Sequence, residues 1–205
     1  MNIRSKIVAA LLASGLGLAG CASPAFVSPV SVTRFVAPQA AQLGSGTIAV
    51  VPAPGLGVEM EGAFAADFRT YADALGAALA DQGYTVVPAA DAAQVAELRF
   101  DTAVLDAAQR SPVNVGVGGS TGSYGSGVGV GVGINLGGRK PDSLDRSIGV
   151  VIRDKASTAV LWEGRASFSA TDNSDYADND AAAMRLAYAL MEGFPGNDGE
   201  TIEVE

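Results

Sequence analysis

From Gly125 to Leu136 the chain sets glycine against an aliphatic residue at nearly every second position, GSGVGVGVGINL, and few backbone conformations can use such a pattern. Glycine and valine are both poor helix formers, whereas a period of two sends alternate residues to opposite faces of a strand. Val128, Val130, Val132, Ile134 and Leu136 share one parity, and Val113, Val115 and Val117 share another on the far side of the loop 118–127, which contains Tyr124. The block 111–138 therefore predicts an inserted β-hairpin with one apolar face and one bare face. Two uses are open to it. It extends the sheet of its own domain over the helices, or it is an exposed hairpin that docks on a partner or touches a membrane.

The same glycines invite comparison with a phosphate-cradling loop, and the spacing answers it. G-x-G-x-x-G needs glycine at its sixth position, yet starting from Gly116, Gly125, Gly127, Gly129 or Gly131 that position holds Thr121, Val130, Val132, Ile134 or Leu136. Lys140 follows Arg139 rather than glycine, so the P-loop pattern is missing too. No nucleotide is expected. Gly125, Gly129, Gly133 and Gly137 do satisfy repeated G-x-x-x-G spacing, but any strict alternation of glycine satisfies it, and the strand is the more economical description.

The amino terminus sets the expected location. Arg4 and Lys6 precede an uncharged apolar run, Ile7 to Leu18, of 12 residues, which is short of the about 20 a helix needs to cross a bilayer. Leu18-Ala-Gly-Cys21 closes it, so residues 1–20 form an export signal rather than a span. Those four residues resemble the lipobox of bacterial lipoproteins. The resemblance implies cleavage between Gly20 and Cys21, acylation of Cys21 and, with Ala22 and Ser23 following, the periplasmic face of the outer membrane of a Gram-negative bacterium. An ordinary secretory signal ending by chance in cysteine is the alternative.

Composition closes several chemistries. The chain has no histidine and its one cysteine is Cys21, so His- or Cys-based catalysis and the corresponding metal centres have no ligands. Loss of residues 1–20 would leave 11 basic against 22 acidic side chains, a balance that repels nucleic acid. No cofactor and no metal are expected.

The coarse pattern after Cys21 is that of one domain. Residues 21–45 read as the lipidated cysteine and an extended tether, with Val30-Ser-Val-Thr-Arg-Phe35 as a possible edge strand; 46–196 form the domain; 197–205 are a polar tail. Gly46 to Pro52 is an apolar strand. Phe64, Phe68, Tyr71, Leu75 and Leu79 lie on one helical face, ended by Gly83, and Tyr84 to Val87 is a second strand. Leu98, Phe100, Thr102 and Val104 alternate, as do Ile148, Val150 and Ile152, and Val160, Trp162, Gly164, Ala166 and Phe168, the last two runs forming a hairpin. Ala183, Met184, Ala187, Leu190, Met191 and Phe194 mark a second helix. Two amphipathic helices and these strands predict an α+β two-layer sandwich, a mostly antiparallel mixed sheet with both helices on one face.

Tyr71-Ala-Asp-Ala-Leu-Gly-Ala-Ala-Leu-Ala-Asp-Gln-Gly-Tyr84, the glycine block 111–138, and Val160-Leu-Trp-Glu-Gly164 with Phe194-Pro-Gly196 resemble the domain of unknown function 4136 lipoproteins of proteobacteria. The resemblance implies envelope localisation and a small α/β domain, and supplies no catalytic residue to carry over. The acidic run Asp172 to Asp180 lacks the glycine and closing glutamate of an EF-hand and reads as helix capping. The expected function is a non-catalytic envelope lipoprotein that binds another envelope protein through a sheet edge or through the hairpin residues Val128, Val130, Val132, Ile134, Leu136 and Tyr124. The competing expectations are an enzyme using carboxylates alone and an oligomeric membrane-associated component acting through that hairpin.

Overall fold

The structure, a computed structural model, describes residues 23–38, 42–55, 62–105, 113–121, 126–134 and 141–205. The chain divides into two units, Ala25–Leu105 with Asp142–Glu205, and Met1–Pro24 with Asp106–Pro141. The first unit holds a seven-stranded sheet, and the described part of the second is largely a two-stranded one.

The first unit is built from β1 (Val30–Val36), β2 (Thr47–Pro52), α1 (Gly62–Asp81), β3 (Thr85–Val86) and β4 (Gln94–Leu105), followed after the insertion by further strands and a second helix. The second unit contributes β5 (Val113–Thr121) and β6 (Ser126–Ile134). The first unit resumes with β7 (Ser143–Asp154), β8 (Val160–Thr171), a short 3-10 turn (Asp175–Ala177), α2 (Asn179–Met191) and β9 (Thr201–Val204). The strand order is β3-β2-β4-β7-β8-β1-β9. β2 runs parallel to both β3 and β4, and the remaining pairs are antiparallel, which makes the mixed sheet that the strand-helix-strand opening predicts.

Helix α1 buries the face read from its sequence, Phe68, Tyr71, Leu75 and Leu79, together with Ala74 and Ala78. It packs against α2, which buries Leu186, Leu190 and Met191. Leu75, Leu79, Leu186 and Leu190 are wholly shielded, each contributing about 1.5–3 kcal/mol of apolar burial. Gly83 ends α1 at φ +101°, where a side chain would also bring its Cβ to 2.7 Å from the Gly44 carbonyl oxygen. Beneath the helices the sheet contributes Ala96, Leu98, Ile148, Val150, Ile152, Trp162, Ala166 and Phe168 to the core.

Residues on both sides of 46–196 enter this sheet, which corrects those expected boundaries. β1 is no edge strand: it lies between β8 and β9, with Val30 and Val32 fully buried. The tail 197–205 supplies β9, paired with β1 from Val30↔Val204 to Thr33↔Thr201. Pairing begins even earlier, since Phe26 exchanges main-chain and hydroxyl hydrogen bonds with Thr171. The extended tether therefore does not reach residue 45.

Two expected phases also shift. Ile152 pairs with Trp162 but Arg153 pairs with Val160, so a bulge takes up Leu161. Val160 is turned outward and Leu161 is buried, while Trp162 stays in phase with Gly164, Ala166 and Phe168. In α2, Met184 is exposed, and Phe194 lies beyond the helix end, its ring tilted against Trp162 at 5.3 Å and edge-on to Tyr84 at 6.2 Å.

Candidate functional site

The hairpin takes the form that its alternation predicts. β5 and β6 pair antiparallel in a sheet of their own rather than continuing the seven-stranded one, which corrects the first of the two uses considered for it. The register sets Val113, Val115 and Val117 opposite Ile134, Val132 and Val130, and Gly116 and Gly118 opposite Gly131 and Gly129. Residues directly opposite share a face, so the backbone register agrees with the sequence phase. Val128 falls opposite Gly119. The strands extend to Thr121 and from Ser126, a tighter loop than 118–127. Tyr124, Leu136, Gly20 and Cys21 lie outside the described residues.

Leu105 and Phe26 lie at the same end of the seven-stranded sheet. β4 finishes at Leu105, which is paired with Ser143 at the start of β7, and Ser143 is paired with Thr171 at the finish of β8. Thr171 donates its N–H to the carbonyl of Phe26 at 2.9 Å. Leu105, where the insertion departs, and Phe26, five residues after Cys21, are thus three strand spacings apart, about 14 Å. Val104 and Leu105 are more than half exposed there.

Elsewhere the described polar groups serve the fold. Arg34, in phase with Val30 and Val32, is only 2% exposed. Its Nη2 donates to the Glu192 carbonyl, its Nη1 stands 3.8 Å from Glu200 Oε2, and its backbone accepts from Gly199 and donates to the carbonyl of Glu200. Burial pulls the guanidinium below its ordinary pKa, and Glu200 and Glu192 oppose that shift. Glu200 in turn is held below the usual carboxylate range, first by the Asn197 backbone N–H, then by the Asn197 side-chain amide, with Arg34 adding to both. These groups line an open hollow of about 530 Å³ with Pro195, Gly196 and Ile202. A carboxylate so held is a poor proton donor near neutrality, and its geometry fixes the 192–200 loop.

Arg146 is the second buried cation, in phase with Ile148, Val150 and Ile152. Its Nη1 donates to Asn179 Oδ1 at 2.6 Å and to the Tyr71 hydroxyl at 3.4 Å, and its Nη2 to the Ala177 carbonyl at 2.6 Å. Asn179 hands the link on to Asp67 at 2.9 Å, so one side chain ties β7 to both helices. Neither arginine was singled out by sequence. The available signal was a cation in the phase of a buried stripe. The acidic run does cap α2: Asp178 accepts from the Asp180 N–H. Among the described residues no group of three or more acidic, histidine or cysteine side chains is placed to hold a metal.

A family model described as a domain of unknown function (DUF4136) matches residues 48–196. A search of curated proteins finds no match to the chain. Among solved structures it is similar to a PDZ domain protein from Parabacteroides distasonis, with 14% identity and a TM-score of 0.50 over 87% of this chain. The chain spans 38% of the length of that protein, and the likeness is one of fold. It is also similar to the PelC dodecamer from Paraburkholderia phytofirmans in two crystal forms. These show 13% and 14% identity and TM-scores of 0.39 and 0.40, covering 79% and 82% of this chain and 94% and 99% of those.

Proposed function

The chain belongs to the family described as a domain of unknown function (DUF4136), which specifies a fold and no activity, and from that premise we propose a non-catalytic, lipid-anchored envelope lipoprotein. Cys21 is its acylated residue, the outer membrane its location, and the periplasm-facing domain binds another envelope component. What supports the binding role is the two-stranded sheet: among the described residues each arm is hydrogen-bonded to the other and to no further strand, so both outer edges offer main-chain donors and acceptors.

Metabolic labelling with a palmitate analogue tests the anchor. Label is expected on the wild-type chain and absent from Cys21→Ala, and persistent labelling of that variant overturns the assignment. Photo-crosslinkers placed in living cells at Asn114, which pairs with Gly133 on the glycine face of the hairpin, and at Ser157, in the turn between β7 and β8, test the binding element. Capture at Asn114 well above that at Ser157 is expected; equal capture removes the hairpin as the contact.

A further inference from the structure

We propose that the glycine-valine hairpin docks flat on the same membrane that holds Cys21, its valine face against the lipid and the cations at its root against anionic headgroups. The inference rests on the reading of Cys21 as the anchored residue. Its geometric basis is the shared end of the seven-stranded sheet, where Leu105 and Ser143, the root of the insertion, lie in the same row of paired residues as Thr171 and Phe26. Five residues of chain reach at most about 18 Å, so an anchor at Cys21 holds that end of the sheet beside the bilayer. Leu105 and Ser143, the described residues that flank the insertion, belong to that end.

Charge distribution is the second and independent observation. Residues 107–141 carry Arg110, Arg139 and Lys140 and no acidic residue, whereas the remainder of the chain after Gly20 has eight cations against 22 acids. In sequence Arg110 stands three residues before Val113, and Arg139 and Lys140 five and six after Ile134, and Val113 and Ile134 are paired. Basic residues beside a membrane are attracted to anionic headgroups, each strengthening binding about fivefold. Between the cations stretch 28 residues with no charge at all. Tyr124, between the two arms in sequence, is a residue type favoured at the membrane-water interface.

Flat docking also resolves the hydrogen-bonding problem of the edges. One hairpin cannot cross a hydrocarbon core, because its two outer rows of N–H and C=O groups would find no partners there. Lying at headgroup depth, it sets Val113, Val115, Val117, Val130, Val132 and Ile134 against the lipid while its edges stay within reach of water, headgroups or a partner strand. This is the strand counterpart of an interfacial amphipathic helix.

Because acylation consumes the one native cysteine, a single introduced thiol reports unambiguously. The full lipidated chain carrying Val130→Cys or Ser157→Cys, labelled with an environment-sensitive fluorophore, is reconstituted in vesicles of phosphatidylethanolamine with phosphatidylglycerol bearing a headgroup-depth quencher. Strong quenching at position 130 and little at 157 is expected. With Arg139→Gln and Lys140→Gln together, the docked-to-undocked ratio falls about thirtyfold, and replacement of the lipid by phosphatidylcholine lowers it likewise. Equal quenching at the two positions overturns the proposal, as does quenching at 130 that ignores both the charge change and the lipid change. Shielding of position 130 in detergent, with light scattering showing multimers, also overturns it and assigns the hairpin to a second copy. Mass spectrometry of the same preparation separates the two failures: a chain without an adduct on Cys21 refutes the anchor, and an acylated chain with an unquenched hairpin refutes the docking.

Discussion

Gly164→Ala is expected to be among the more damaging one-carbon changes in this protein, and Gly149→Ala nearly silent, although both add a methyl group to a central strand. At Gly164 an added Cβ would lie 2.1 Å from Trp162 Cη2 and 2.7 Å from two further ring carbons. The indole cannot retreat easily, because it is fully buried, its Nε1 donates to the Pro195 carbonyl at 2.9 Å, and the Phe194 ring is packed at 5.3 Å. Overpacking of a closed core costs about 1–3 kcal/mol, and this overlap belongs at the upper end. Displacing the indole adds about 1 kcal/mol for the lost hydrogen bond, and removing a glycine from the unfolded chain returns about 0.5–1 kcal/mol. The net loss is about 3 kcal/mol, a fall in Tm of about 6–12 °C for a chain of this size. At Gly149 the three atoms nearest the methyl would all belong to the Arg99 side chain, Cγ closest at 3.0 Å, and Arg99 is exposed, so its flexible stem moves aside. That variant should stay within about 1 kcal/mol of wild type. Urea unfolding followed by the fluorescence of Trp162, the single tryptophan, measures both. Equal losses at the two glycines, or a Gly164→Ala loss under about 1 kcal/mol, would refute the packing account.

Arg146→Met keeps the apolar stem and removes the charged donors to Asn179 and Ala177, for an expected loss of about 2–4 kcal/mol in the same denaturation assay; a loss below about 1 kcal/mol would show that the links are dispensable. Glu200 gives a pH dependence of definite sign. Its folded pKa is depressed, so its contribution is complete above the unfolded value of about 4.3 and disappears as pH falls through the folded value. Protection of the Asn197 and Gly199 amides, taken relative to the intrinsic exchange rate at each pH, should fall below about pH 4, ahead of global unfolding, and Glu200→Gln should show that lower protection already at neutral pH; unchanged protection in that variant would contradict it.

The helices were legible because Phe68, Tyr71, Leu75 and Leu79 repeat at helical spacing, and a repeated stripe states which face is buried without help from the rest of the chain. The long strands declared themselves by alternation for the same reason. What stayed hidden were facts that only a distant segment supplies. β1 looked like an edge because its outer neighbour, Thr201-Ile-Glu-Val204, is four residues long, too short for its alternation to stand out from a polar tail. The bulge at Leu161 depends on the register that Ile152 and Arg153 impose from β7. Arg34 and Arg146 could be placed in the core phase from sequence, but their partners, the Glu192 carbonyl, Asn179 and Ala177, lie 31 or more residues away. The hairpin was legible as a strand pair, and its root was not, since the row from Leu105 to Phe26 exists only once four separate segments are side by side.

The two ends of the seven-stranded sheet bear on how densely such chains can be crowded together. On one side β3 is two residues long and β2 runs out at Pro52, which has no N–H to offer. On the other, β9 is four residues with Glu203 in its midst and Glu205 just beyond, and past it the 197–200 loop occupies the remaining groups of β1. There Arg34 N–H goes to the Glu200 carbonyl, Val36 N–H to Asp198, and the Gly199 N–H to the Arg34 carbonyl. Such edges offer little template for polymerisation. Copies of the chain can meet side by side without stacking their seven-stranded sheets into fibres, and among the described strands it is the uncharged nine-residue arms of the hairpin that carry no such guard.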